Sequence, residues 1–60
     1  MNKIEQIRKE IGISKSDLSL RSGLSVGYIC HLEKGTRSNP SYTAMKKIAG
    51  ALNRNIADVF

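Results

Sequence analysis

The chain has 60 residues, 40% of them apolar and 25% charged, with ten Lys+Arg against five Asp+Glu and a net charge of +5. That length allows one small domain with a lean core and no deep substrate cleft, because a chain of about 60 residues buries only about 60% of the surface its unfolded form exposes. One cysteine excludes an internal disulfide, one His with one Cys cannot supply a four-ligand zinc site, and no apolar run reaches the roughly 18 residues of a membrane span.

Ile4, Ile7 and Ile11 recur every three or four positions and predict a first helix over 2–11. Gly12 follows where a left-handed C-terminal cap belongs. Charges at Lys3, Glu5, Arg8 and Lys9 leave no signal-peptide core, so the cytosol is the expected location. Ser14 stands three residues before Asp17, a capping-box pattern with Asp for the usual Glu or Gln, and predicts a second helix over 15–22. Gly23 stops it. Ser25 caps a third helix over 26–34, and Gly35 ends that one. Two short helices joined by a three- to four-residue turn containing Gly match a helix-turn-helix unit. Ser41 opens a fourth helix over 41–52, with Met45, Ile48, Ala49 and Leu52 as its apolar stripe. Asn53 suits the left-handed region. Asn55 caps a last turn over 55–59 carrying Ile56 and Val59, followed by Phe60. No period-two stretch is long enough for a strand. The fold class read from these elements is all-α, five short helices in one domain spanning 1–60.

At 100° per residue, Ile29, Leu32 and Glu33 gather on one side of the third helix, and Gly27, Cys30, His31 and Lys34 on the other, flanked by Val26 and Tyr28. The outward face then carries small residues first, a hydrogen-bonding ring next and a cation last. A helix entering a major groove needs that order, since small residues admit the backbone and longer ones reach base edges. Glu33 falls on the buried side, where an unpaired carboxylate is costly, so it needs a partner. Arg8, beside Ile4, Ile7 and Ile11, is the candidate. After Glu33 no acid occurs until Asp58, while Lys34, Arg37, Lys46, Lys47 and Arg54 lie between. Lys34, Thr36, Arg37, Ser38 and Asn39 crowd one loop with donors for phosphate oxygens. Lys15 opens the second helix, where free backbone N–H groups also favour an anion.

These residues resemble the lambda-repressor-like helix-turn-helix family, across roughly Ile4 to Phe60. The matching pieces are I-R-K-E-I-G-I-S, D-L-S-L-R-S-G-L-S, Y-I-C-H-L-E-K-G-T-R-S-N-P-S and K-K-I-A-G-A-L-N-R-N-I-A-D-V-F. The resemblance implies a compact five-helix DNA-binding domain, dimeric on a near-palindromic operator, with its third helix in the major groove. Carried over by position, the base-reading residues are Val26, Gly27, Tyr28 and His31. The phosphate contacts are Lys15, Lys34, Arg37, Ser38 and Asn39. The family's structural ion pair falls on Arg8 and Glu33. Departures are Lys15 for a usual Gln, Ser19 for a usual Ala, apolar Leu20 at a usually polar position, and Arg54 for a small aliphatic. Val26 and Gly27 offer no long polar side chain, which shifts weight to shape readout and thymine-methyl contact.

The leading expectation is a homodimeric, sequence-specific transcriptional regulator of double-stranded DNA, a repressor, acting in the cytoplasm at the nucleoid without membrane contact. A protein-interaction module such as an antitoxin is the alternative, with Leu20 and the turn ending in Phe60 as its surface and a protein as its partner. An enzyme is not expected, because no nucleophile–base pair or metal cluster is present, and neither is a cofactor. Several residues keep two readings. His31 contacts DNA or is an ordinary surface histidine. Cys30 is a redox switch or a small tolerated side chain. Tyr28 touches a phosphate or covers the turn, and Lys46 with Lys47 forms a solvated helix face.

Overall fold

The computed structural model describes residues 2–35 and 40–60 and places five helices along the chain: α1 (Ile4–Glu10), α2 (Lys15–Ser22), α3 (Val26–Lys34), α4 (Tyr42–Ala51) and α5 (Ile56–Val59). Hydroxyl caps start the three longest. Ser14 Oγ accepts the Asp17 N–H at 3.0 Å, Ser25 Oγ that of Tyr28 at 3.1 Å, and Ser41 Oγ that of Ala44 at 3.1 Å. The Asp17 carboxylate accepts the Ser14 N–H in return at 3.0 Å, completing the capping box. Asp58 does the same for the Asn55 N–H at 3.3 Å.

The ends are where the helices differ from expectation. Residues 41 and 55 stand outside the helices as caps, and Leu52 closes α4. The first helix begins at Ile4 rather than at Asn2. Asn2 instead accepts the Ile4 N–H at 3.1 Å and donates its amide to the Leu32 carbonyl at 2.9 Å, fastening the chain start to α3. The neighbouring Lys3 N–H donates to the Val59 carbonyl at 2.8 Å, which ties the same segment to α5. At its other end α1 stops at Glu10. Ile11, expected on the core face, is 39% exposed, and the chain turns at Gly12 to bury Ile13 in its place.

One hydrophobic cluster takes residues from every helix: Ile4 and Ile7, Leu18, Ile29 and Leu32, Ile48 and Ala49, and Val59, with Ile13 and Leu52 between them. Half-buried Leu24, Tyr28, Ile56 and Phe60 pack against its edge. Met45, expected in the α4 stripe, is only partly covered; Ala44 is the buried residue of that turn. At about 25 cal/mol per Å² of apolar area, so few side chains leave a margin of only a few kcal/mol.

Two glycines separate backbone need from space. A Cβ would meet no atom within 4 Å at Gly23 or at Gly50. Gly23, however, sits at φ +75° after α2, whereas Gly50 lies inside α4. Gly50→Ala should therefore stabilise the protein by about 0.5–1 kcal/mol, while Gly23→Ala should cost about 1–2 kcal/mol; thermal unfolding of the two variants must move in opposite directions. The capping box adds a pH signature. The Ser14 backbone N–H, helped by the Ser14 hydroxyl, holds the Asp17 carboxyl below its ordinary value. A depressed folded value gives stability that is present above the unfolded pKa of about 3.9 and lost as pH falls through the folded one. Asp17→Asn should lower the melting temperature at neutral pH, and the gap to the wild type should close in acid below about pH 4.

Candidate nucleic-acid interface

The α2–α3 unit is held in shape by its own serines. Gly23 takes the left-handed turn after α2 and its N–H donates to the Ser19 carbonyl at 2.9 Å. Ser19 Oγ donates to the Leu24 carbonyl, and the Leu24 N–H donates to Ser22 Oγ at 3.2 Å. Both backbone groups of Leu24 are thus satisfied by α2 side chains, and its apolar side chain packs on the core. From the sequence, Ser19 reads only as a loss of helix propensity; the structure gives its hydroxyl a role in fixing the turn. The clustering of Ser19 and Ser22 ahead of a glycine was the available signal.

The turn aims the start of α3 outward. Val26 and Gly27 are exposed in its first turn, and His31 and Lys34 are exposed in its last. Tyr28 is half-buried with its ring against the core, the position of a side chain covering the turn. Cys30, expected on the outward face, is half-buried, with the Lys15 ammonium 3.9 Å from its sulfur. No acidic residue lies in the first turn of α3, so its N-terminal dipole stays uncompensated. Lys34 near the C-terminus also suits that end of the dipole, which is a structural reason for a cation there independent of any ligand. Thr36, Arg37, Ser38 and Asn39 lie outside the described residues.

Behind this face sits the ion pair expected between Arg8 and Glu33. Arg8 Nε donates to Glu33 Oε2 at 2.9 Å and Nη2 to Oε1 at 3.3 Å, a two-pronged contact. The remaining nitrogen, Nη1, donates to the Ile13 carbonyl at 3.1 Å. Hydrogen bonding to Glu33 raises the Arg8 pKa further, against the opposing effect of burial, so the guanidinium stays charged. Glu33 keeps only 3% of its side chain exposed. Lys15, a phosphate contact by the resemblance, is half-buried, and its ammonium lies 3.9 Å from Glu33 Oε1. Leu20 projects from α2 at 84% exposure.

A compact helical unit with a serine-stitched turn between its second and third helices defines a class, and the comparisons agree. The chain belongs to the helix-turn-helix family, whose model matches residues 4–59. It is similar to two HTH-type transcriptional regulators of Bacillus subtilis (strain 168). SlrR is 33% identical over 95% of this chain and 38% of its own length; SinR is 32% identical over 90% and 49%. The chain therefore spans less than half the length of these curated relatives. Among solved structures, the restriction-modification controller protein C.AhdI from Aeromonas hydrophila superposes with a TM-score of 0.90 at 31% identity, covering 97% of this chain and 86% of that one. SinR in complex with DNA superposes with a TM-score of 0.87 at 31% identity, covering 92% and 87%.

Because Arg8 serves Glu33 and Ile13 together, its loss strands a buried carboxylate. Arg8→Ala should cost about 3–5 kcal/mol, enough to leave the chain largely unfolded at 37 °C by circular dichroism. The exposed Glu5–Lys9 pair at 3.7 Å is the control. Lys9→Ala should shift stability by at most about 0.5 kcal/mol.

Proposed function

We propose that residues 1–60 act as one DNA-binding domain of a transcriptional regulator, a repressor that reads double-stranded DNA as a homodimer on a near-palindromic operator. The observation that carries this reading is the α2–turn–α3 unit with exposed Val26 and Gly27 at the start of α3, followed by exposed His31 and Lys34. α3 lies in the major groove, with Val26 and Gly27 letting its backbone approach and Val26 set against a thymine methyl. His31 reaches a base edge, while Tyr28 braces the turn and meets the groove with its hydroxyl. Lys34, with Arg37, Ser38 and Asn39 after it in the chain, holds phosphates and fixes the register. The likeness to SinR, which has been solved with DNA, supports the same docking here. Such a regulator works in the cytoplasm at the nucleoid. A partner regulator or toxin is the second reading, favoured by Leu20 alone; Phe60, the other half of that surface, packs against the core.

Selection from a random-duplex library at about 0.15 M salt should enrich an inverted repeat with half-site centres about 34 Å apart. Salt-sensitive binding without any enriched sequence would remove the base-reading claim, and no duplex binding at all would leave the partner-binding reading. On the selected site, Lys34→Ala should weaken all sequences alike and lower the salt slope by about 0.9. His31→Ala should change preference at one or two base pairs while the rest of the site is kept.

A further inference from the structure

The Lys15 ammonium is bracketed by two groups of α3, Cys30 Sγ and Glu33 Oε1, each at 3.9 Å. These residues stand three apart on one helix, so they face α2 together. Arg8 approaches Glu33 from the α1 side and takes Oε2 at 2.9 Å; its hold on Oε1 is longer, at 3.3 Å. Lys15 supplies a second cation on that less tightly held oxygen. Its own position asks for a carboxylate. Lys15 is the first residue of α2, where the helix dipole disfavours positive charge, and Asp17 in the same turn is committed to the Ser14 N–H. Glu33 is thus the acid through which the start of α2 is joined to α3.

We propose that Lys15 is a positioning residue, tying α2 to α3 through Glu33 and setting the angle of the reading helix, and that it does not contact a phosphate. The proposal rests on the DNA-binding reading above. In the folded chain the network then runs from α1 through Arg8 to Glu33 on α3 and back through Lys15 to α2. Losing the ammonium loosens the α2–α3 angle and lowers affinity for every duplex that α3 reads, without removing a counterion-releasing contact.

The test uses the whole chain with Lys15→Met, which keeps the apolar stem, and Lys15→Arg, which keeps the charge. Without DNA at low salt, Lys15→Met should melt about 2–4 °C below the wild type, Lys15→Arg should match the wild type, and the Met gap should shrink at about 1 M salt. Titration of the selected duplex across salt concentrations, well below the melting range, should show Lys15→Met binding several-fold more weakly with the slope of log K against log salt unchanged. Lys15→Arg should restore the affinity. A slope lower by about 0.9 in Lys15→Met, whatever its melting temperature, overturns the proposal and makes Lys15 a phosphate contact. An unchanged melting temperature overturns it as well. A wild-type chain that binds no duplex refutes the DNA-binding reading instead, and the melting comparison still decides whether Lys15 is bonded to Glu33.

Discussion

Arg8 on Glu33 is the contact that fixes α1, the α1–α2 connection and α3 relative to one another. Its guanidinium joins α1 to α3 through two hydrogen bonds and holds the α1–α2 connection through the Ile13 carbonyl. Ile13 enters the core where that connection passes, so the same residue that buries the loop also presents its carbonyl to Arg8. A buried pair of this kind is weak evidence for net stability, because desolvating two charges offsets most of their attraction. Its value is geometric. A two-pronged guanidinium–carboxylate contact tolerates little rotation, and α3 must be held at one angle if its outer face is to meet a rigid partner.

Rigidity of α3 is supplied from three further directions. The Asn2 amide donates to the Leu32 carbonyl, Leu24 is stitched to α2 by Ser19 and Ser22, and Ile29 with Leu32 fills the core from the inner face. The outer face needs none of these groups and carries small and polar residues instead. Sixty residues leave little apolar area to spare, and polar contacts to backbone from Asn2, Arg8, Ser19 and Ser22 help to orient the helices. The hydroxyl caps of α2, α3 and α4, Asp58 on the Asn55 N–H and Asn2 on the Ile4 N–H each satisfy one backbone N–H at a helix start.

The helix-turn-helix match and the position of Glu33 have the same physical origin. A three-residue turn between two short helices forces them to cross closely, and the residues three apart on the inner side of α3 then face α1 and α2 at once. Two of those inner positions, Ile29 and Leu32, are apolar, and Glu33 beside them is charged. C.AhdI and SinR superpose on this chain at 31% identity, so the fold is shared although most residues differ.

Much of this was legible in the residues because helix signals are local. Ser14, Ser25 and Ser41 mark starts, Gly23, Gly35 and Asn53 mark left-handed stops, and period 3.6 marks the buried faces, so five helices, the central turn and the Arg8–Glu33 pair all follow from the sequence. What the sequence left open depends on groups distant along the chain. The helix period puts Ile11 on the buried face, but α1 ends before it and the chain turns at Gly12, so Ile13 is buried instead. Asn2 reads as the first residue of a helix until the Leu32 carbonyl, thirty positions away, is seen to claim it. Lys15 reads as a surface cation until α3 brings Glu33 beside it. Periodicity and caps are set by neighbours within one turn of the chain, whereas the partner of a long polar side chain is chosen by whichever helix the fold delivers.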